Sequence, residues 1–416
     1  MRVTSEPSAV LDSIFSDRAP KRFRSGTHRL ATPDETLARV RPLAGRMGIT
    51  RLGNITGLDR IGIPVAIAVR PNSRSVSVSQ GKGLELAQAM ASALMEACEI
   101  FHAEEIGPLH RTAYHNLAAG ATVADPRLLS AGAIPFDPAA PIDWIEGYDL
   151  LHGAACWVPA ETVHTDYTLP HPDGYFLAGS NGLASGNHRV EAINAALYEL
   201  VERDAVALWM ARPLRERARH TLDLGSVDDA RCRVLLERFD DARVAVHVWN
   251  VTSDIGIAAF LCEIRDQAPA DPQMLRRFHG SGCHADRGIA LSRALTEAAQ
   301  TRLTYISGVR DDLAPADYQT APDEDIRDAL LGALTHAVPG VAFATVPSFS
   351  ADDLLDDLQW ALAQLRTAGI DRVVTVDLTR PDFDIPVVRL VVPGLEWDAH
   401  HPNYQPGPRA REAASQ

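Results

Sequence analysis

Gly81-Lys82-Gly83 and the helical stretch 84–105, with Ala93-Leu94-Met95-Glu96-Ala97-Cys98-Glu99 at its centre, decide the fold, because the chain writes this phrase three times. It returns as Ala196-Leu197-Tyr198-Glu199-Leu200-Val201-Glu202 and as Ala294-Leu295-Thr296-Glu297-Ala298-Ala299-Gln300, at steps of roughly a hundred residues. Each copy follows a glycine-rich approach: Ser79-Gln80-Gly81-Lys82-Gly83, then Ser180-Asn181-Gly182-Leu183-Ala184-Ser185-Gly186-Asn187, then Gly280-Ser281-Gly282-Cys283-His284. One supersecondary unit therefore recurs. This predicts an α/β body with mixed α+β layering, a single large domain of repeated glycine-loop and helix units with β-sheets. The three loops are expected to converge on one cleft.

Residues three apart on a helix share a face, so Glu96/Glu99 and Glu199/Glu202 each set two carboxylates side by side. Like charges so placed cost a few tenths of a kcal/mol in an isolated helix, and among apolar neighbours they ask for a counter-cation. Hard oxygen ligands suit Mg²⁺, which takes one or two carboxylates and shares its shell with water and substrate phosphates. A lone Glu-x-x-Glu is more often a solvated helix face. Repetition behind glycines turns the reading toward a nucleotide site.

With 46% hydrophobic and 23% charged residues in 416, the chain has an ordinary globular composition. Its formal charge of −14 argues against a nucleic-acid or membrane-surface binder, which needs a basic field. No apolar run approaches the length of a membrane span and the start is not signal-like, so a cytoplasmic location is expected. The five cysteines show no Cys-x-x-Cys spacing, which fits reduced, buried thiols and indicates no zinc site. Of the 40 basic residues only Lys21 and Lys82 are lysine. Lys82 stands between glycines, where a compact ammonium suits a phosphate and a chance turn lysine fits equally well. If the loop approaches phosphate, its glycines serve close backbone approach.

Residues 1–25 read as a flexible N-terminal tail, 26–396 as the body and 397–416 as a polar C-terminal tail. Thr32-Pro33-Asp34-Glu35 reads as a capped helix start. Strands are expected at 65–69 and 76–78, a hairpin from 144–150 and 156–163, and strands at 244–251, 257–264, 373–378 and 387–392. Helices are expected at 191–211, 226–239, 287–306, 325–337 and 351–368.

Ile49-Thr50-Arg51, Thr56-Gly57-Leu58-Asp59-Arg60-Ile61-Gly62-Ile63-Pro64-Val65, Gly81-Lys82-Gly83, Ser92-x-x-x-Glu96-x-x-Glu99 and Gly186-Asn187 with Glu191, Glu199, Glu202 and Arg203 together resemble the YcaO superfamily, over most of the chain from about Arg29 to Gly394. The resemblance implies an enzyme that uses ATP and Mg²⁺ to phosphorylate a backbone amide oxygen of a peptide or protein. Carried over position by position, Glu96, Glu99, Glu199 and Glu202 are implied as metal ligands and catalytic residues. Arg29, Lys82, Ser92, Asn187, Glu191 and Arg203 are implied on the nucleotide side, with Gln300 and Arg302 from the third copy. One position departs: Ile100 stands where family members often have arginine after the first Glu-x-x-Glu.

Within the superfamily the nucleophile is either a neighbouring Cys, Ser or Thr side chain, which gives an azoline, or sulfide, which gives a thioamide. Azoline-forming members commonly end in Pro-x-Pro-x-Pro, whereas here Pro406-Gly407-Pro408 is followed by residues 409–416. Removing 409–416 is therefore expected to spare amide activation. The Thr56–Val65 run resembles members that work with a TfuA-type protein, thought to deliver sulfide, so thioamide formation is the first expectation and azoline formation the second. No additional N-terminal leader-binding domain is read, so a separate recognition protein is an expected partner; a homodimer is left open. A non-catalytic, partner-holding subunit is the third reading, and the intact glutamate pairs speak against it.

Overall fold

The computed structural model describes residues 14–169, 174–267, 277–310 and 340–415, with the single positions 313 and 331. Each copy of the repeat becomes a strand leading into a long helix. Helix α1 (Pro33–Val40) opens the body, with Thr32 accepting from the Glu35 N–H at 3.2 Å and the Glu35 carboxylate accepting from the Thr32 N–H at 2.7 Å. Strands β1 (Arg51–Asn54), β2 (Val65–Val69) and β3 (Val78–Lys82) then form an antiparallel sheet, and β3 feeds α2 (Leu86–Ala103). After β4 (His110–Ala113) comes the expected hairpin, β5 (Pro141–Asp149) and β6 (Ala154–Pro159). The second copy is β7 (Leu183–Ser185) and α3 (Arg189–Ala211). The third follows α4 (Ala230–Asp241): β8 (Val244–Asn250), β9 (Ala259–Asp266) and β10 (Phe278–Cys283) form a second antiparallel sheet that feeds α5 (Arg287–Ser307).

The chain closes with α6 (Leu354–Thr367), β11 (Val374–Asp377), β12 (Val387–Val391) and α7 (Pro408–Ser415). Strands β11 and β12 complete the sheet of the second copy, in the order β4-β5-β11-β12-β7 with β6 alongside β5. Ser185 thereby pairs with Val387, and Leu183 with Arg389. Of the helix expected at 325–337 only Leu331, buried, is among the described residues.

The repeated glycines have a packing cause. A Cβ on Gly81 would stand 2.1 Å from Ala93 N and 2.2 Å from Ala89 O, and one on Gly280 would stand 2.1 Å from Ala298 N. No side chain fits there, so strand backbone lies directly on helix backbone, with alanines opposite. This revises the phosphate reading of the loop: at Gly81 the missing side chain admits α2.

Both ends depart from the tails that the sequence suggested. Ile14 and Ala19 are buried, and Lys21 forms a buried ion pair with Asp357 at 2.5 Å. Residues 14–25 are therefore anchored. At the other end α7 packs Ala410 and Ala413 against Leu208 of α3, and Arg409 grips the buried Asp204 through two hydrogen bonds of 2.9 and 3.0 Å. No helix among the described residues is long and apolar enough to cross a membrane.

Candidate functional site

Helix α2 packs on β7, α3 on β10 and α5 on β3, a ring in which every copy leans on the next. The first glutamate of each copy turns to its own strand or turn: Glu96 accepts from the Gln80 N–H, Glu199 from the Gly182 N–H at 3.1 Å, and Glu297 from the Ser281 N–H at 3.3 Å. The second reaches the following copy. Glu99 accepts from the Ser185 N–H at 2.8 Å and its hydroxyl at 2.7 Å, while Glu202 accepts from the Ser281 hydroxyl at 2.7 Å and the Cys283 N–H at 2.9 Å. In the third copy Thr304, one helical turn past Gln300, closes the ring by donating to Gln80. The Gln300 Oε1 is buried and has no partner among the described residues.

This places the carboxylates within one another's field and largely out of water. Burial pushes Glu96 up to about 7; Arg310 and Lys82 oppose the shift and Glu199 adds to it. Burial pushes Glu99 up to about 8 against the Ser185 hydroxyl, with Glu96 and Glu199 adding. Glu199 is also raised by burial, although Arg203 counters it. Glu297 behaves oppositely: burial disfavours its charge, yet Lys82 at 2.6 Å, Arg203 and Arg293 hold it at about 2. Arg203 lies 3.7 Å from Glu199, 3.8 Å from Glu202 and 4.0 Å from Asp398.

The other candidate residues fall into separate places. Ser92 is exposed one turn before Glu96, on the same face. Arg29, Asn187 and Glu191 form a second cluster at the start of α3: Glu191 accepts from the Leu30 N–H at 2.8 Å and the Asn187 N–H at 3.2 Å, with Arg29 at 3.9 Å. The Asn187 amide donates to Thr36 at 2.9 Å. Arg302 is buried between Asp59 at 3.0 Å and Asp266 at 3.2 Å, and none of the site's glutamates is its partner among the described residues. Sequence reasoning missed Arg310, Ser185, Ser281, Asp398 and Arg389. The serines end or interrupt the glycine strands of their copies, a signal that was readable. So was an arginine inside Val387-Val388-Arg389-Leu390-Val391-Val392.

The donor set fits Mg²⁺. Burial raises Glu96 and Glu99 toward and above neutrality even though Arg310 and Lys82 oppose it at Glu96, so a cation taken up beside them would favour their charged forms, and their oxygens are hard donors. Among the described residues no three His, Cys, Asp or Glu side chains converge on one ion.

The family description "YcaO cyclodehydratase, ATP- and Mg²⁺-binding" matches residues 80–396. An uncharacterised protein from the tfuA 3′ region of Rhizobium leguminosarum bv. trifolii is 38% identical, over 92% of this chain and 92% of that one. An uncharacterised protein of Methanothermobacter thermautotrophicus is 36% identical, over 88% of this chain and 94% of that one. Among solved structures, a heterocyclase in complex with substrate and cofactor aligns with a TM-score of 0.77 at 25% identity, over 92% of this chain. The chain spans about half the length of that heterocyclase chain, 54%. The YcaO protein of Methanopyrus kandleri bound with AMPPCP and Mg²⁺ aligns with a TM-score of 0.71 at 23% identity, over 94% of this chain and 98% of that one, a likeness of fold.

Proposed function

The chain belongs to the YcaO family, an ATP- and Mg²⁺-binding family, and we propose that it phosphorylates the oxygen of a peptide or protein backbone amide so that hydrosulfide converts the amide to a thioamide. The observation that carries this reading is the pair of Glu-x-x-Glu segments brought within one another's field, where burial raises Glu96 to about 7 and Glu99 to about 8. Glu96, Glu99, Glu199 and Glu202 would hold the metal. Lys82, Ser92, Arg203 and Gln300 would face the nucleotide from the same ring, and Arg29, Asn187 and Glu191 from the start of α3. Arg302, held by Asp59 and Asp266, is left as a support of the third copy.

When bound, ATP with Mg²⁺ supplies the phosphoryl group that lets the amide oxygen leave as phosphate. The protein's part is placement. Arg203 keeps Glu199 and Glu202 together, Ser185 and Ser281 orient Glu99 and Glu202, and Lys82 offers positive charge beside the ring. The exchange balances: sulfur replaces oxygen on the amide carbon, the oxygen and the hydrosulfide proton depart on phosphate, and ADP remains.

The relative from a tfuA 3′ region supports a TfuA-type sulfur-delivery partner and hence the thioamide product. The second reading, closure of a Cys, Ser or Thr side chain to an azoline, is favoured by the family description as a cyclodehydratase. A mass measurement decides between them. With ATP, Mg²⁺, sulfide and the TfuA-type protein, the peptide should become heavier by the difference between sulfur and oxygen. Loss of water without sulfide would establish the azoline reading instead.

A further inference from the structure

On the side of α2 turned away from the ring, a cavity of about 250 Å³ opens to the surface. Phe101 stands in its wall, two residues past Glu99, and residues two apart on a helix do not share a face. Four arginines line it: Arg46 from the helical segment Arg41–Met47, Arg70 and Arg74 from between β2 and β3, and Arg380 just past β11. Two carboxylates, Glu104 and Glu105 at the end of α2, share the wall.

The four guanidinium groups divide into two that are locked and two that are lightly paired. Arg70 pairs with the buried Glu104, which also accepts from the Ser73 hydroxyl at 2.8 Å and the Arg74 N–H at 2.7 Å. The Arg74 side chain donates to the buried Asp166 at 3.0 Å. Arg46 and Arg380 have their carboxylate partners at the surface instead. Arg46 donates to the Asp382 carbonyl and carboxylate, both at 3.1 Å, and Arg380 stands 3.8 Å from Glu105. The side chains of Asp382 and Glu105 are 65% and 75% exposed, and exposed pairs contribute little, so an incoming anion displaces them readily. What fixes both guanidiniums is aromatic. Arg46 lies 4.5 Å over the Phe383 ring and Arg380 4.4 Å over the Phe101 ring, and the two rings meet edge to face with centroids 5.2 Å apart. Arg380 also donates to the Phe101 carbonyl at 3.1 Å. Both forks therefore stay in place when the carboxylates swing away.

Two guanidinium forks at one cavity, in a chain of net charge −14, select an anion. A carboxylate has two oxygens and saturates one fork, whereas a phosphate monoester has three terminal oxygens and can engage both. The cavity also exceeds a bare phosphate, and Phe101 and Met47 offer an apolar wall to a small organic body. We propose that this cavity binds the phosphate monoester of a small organic molecule, held by Arg46 and Arg380, at a site separate from the glutamate ring. The assignment stands independently of the amide-activating reading.

The test uses the full chain saturated with AMPPCP and Mg²⁺, which occupies the ring, and titrates glycerol 3-phosphate by calorimetry. One saturable equivalent per chain is expected, bound about tenfold or more weakly by Arg46→Met and by Arg380→Met, as for a lost hydrogen-bonding charge. The affinity for AMPPCP should be the same in both variants. Asp382→Asn and Glu105→Gln should each tighten glycerol 3-phosphate about two- to fivefold, because each removes a competitor for a guanidinium; a purely structural role for these pairs predicts no such gain. If Arg380→Met does not fold, Arg46→Met and the two carboxylate variants still decide. Absent saturable binding, or binding unaltered by Arg46→Met and the carboxylate variants, overturns the site. Succinate bound as tightly as glycerol 3-phosphate overturns the choice of phosphate, and inorganic phosphate bound as tightly overturns the choice of a monoester.

Discussion

The first two copies of the repeat and the third share a strand, a glycine contact and a helix, yet their glutamates sit in opposite electrostatic states. Glu96 and Glu99 are lifted by burial to about 7 and about 8, while Glu297 is held at about 2 by Lys82 at 2.6 Å. Nearly the same backbone device thus yields a first pair raised by burial, a second pair with Arg203 at 3.7 and 3.8 Å, and a third-copy carboxylate held low by Lys82. Repetition built the ring, and one lysine set the third copy apart.

The largest test removes a carboxylate from the second copy. Glu199→Gln or Glu202→Gln should weaken binding of AMPPCP with Mg²⁺ by on the order of a hundredfold or more, since even residues behind a metal's ligands cost ten- to a hundredfold. Calorimetry reads this directly. Near-native affinity in either variant would mean that the second copy does not hold the metal.

Next comes the satisfied side. Lys82→Met removes the nearest cation from Glu297 and leaves Arg203 and Arg293 as its charge partners, and with both side chains of the pair about one-fifth exposed a loss of about 1–3 kcal/mol is expected, below the usual cost of a fully buried broken pair. Lys82→Met with Glu297→Gln should recover most of it in thermal unfolding. A double variant no more stable than the single would deny that the pair balances itself.

The helices, the glycines and both glutamate pairs were legible because they repeat, and periodicity is local. The completion of the second sheet was not: β12 reaches Ser185 from Val387, two hundred residues away, and no local pattern announces such a partner. Nor was the end of the chain. Proline and polar residues suggested a tail, but Glu396 accepts from the Gly407 and Ala410 N–H groups and Arg409 neutralises the buried Asp204 of α3. The expectation that removing residues 409–416 spares amide activation therefore acquires a stability cost. Their loss strands a buried aspartate on the helix of Glu199 and Glu202, and about 3–5 kcal/mol of stability should go with it.

A smaller effect is read against pH. Glu96 and Glu99 lie above the ordinary carboxylate value of 4.5, so the folded state binds their protons more tightly than the unfolded state. Their contribution is complete below about 4.5 and is lost as pH rises through about 7 to 8. Metal-free protein should accordingly melt at a lower temperature above pH 8 than near pH 5, and Glu99→Gln should flatten the trend. Saturation with AMPPCP and Mg²⁺ should remove most of it. A profile unchanged by Glu99→Gln would place the pH dependence elsewhere.

The smallest change asks whether the third copy could be made like the others. Gln300 occupies the second-glutamate position, its Oε1 without a partner among the described residues, one turn before the Thr304 contact to Gln80. Gln300→Glu completes a third Glu-x-x-Glu, but Glu297 already has Lys82. A new carboxylate then adds repulsion toward the ring without a partner for a shared ion, since Mg²⁺ would have to displace an ammonium that already satisfies Glu297. The variant should melt slightly lower than wild type at high pH and bind the same amount of Mg²⁺ per chain in the presence of AMPPCP. Combined with Lys82→Met, the same substitution should raise that amount, because both carboxylates of the third copy are then free. Extra Mg²⁺ in Gln300→Glu alone would show that the missing glutamate, and not the lysine, is what distinguishes the third copy from the first two.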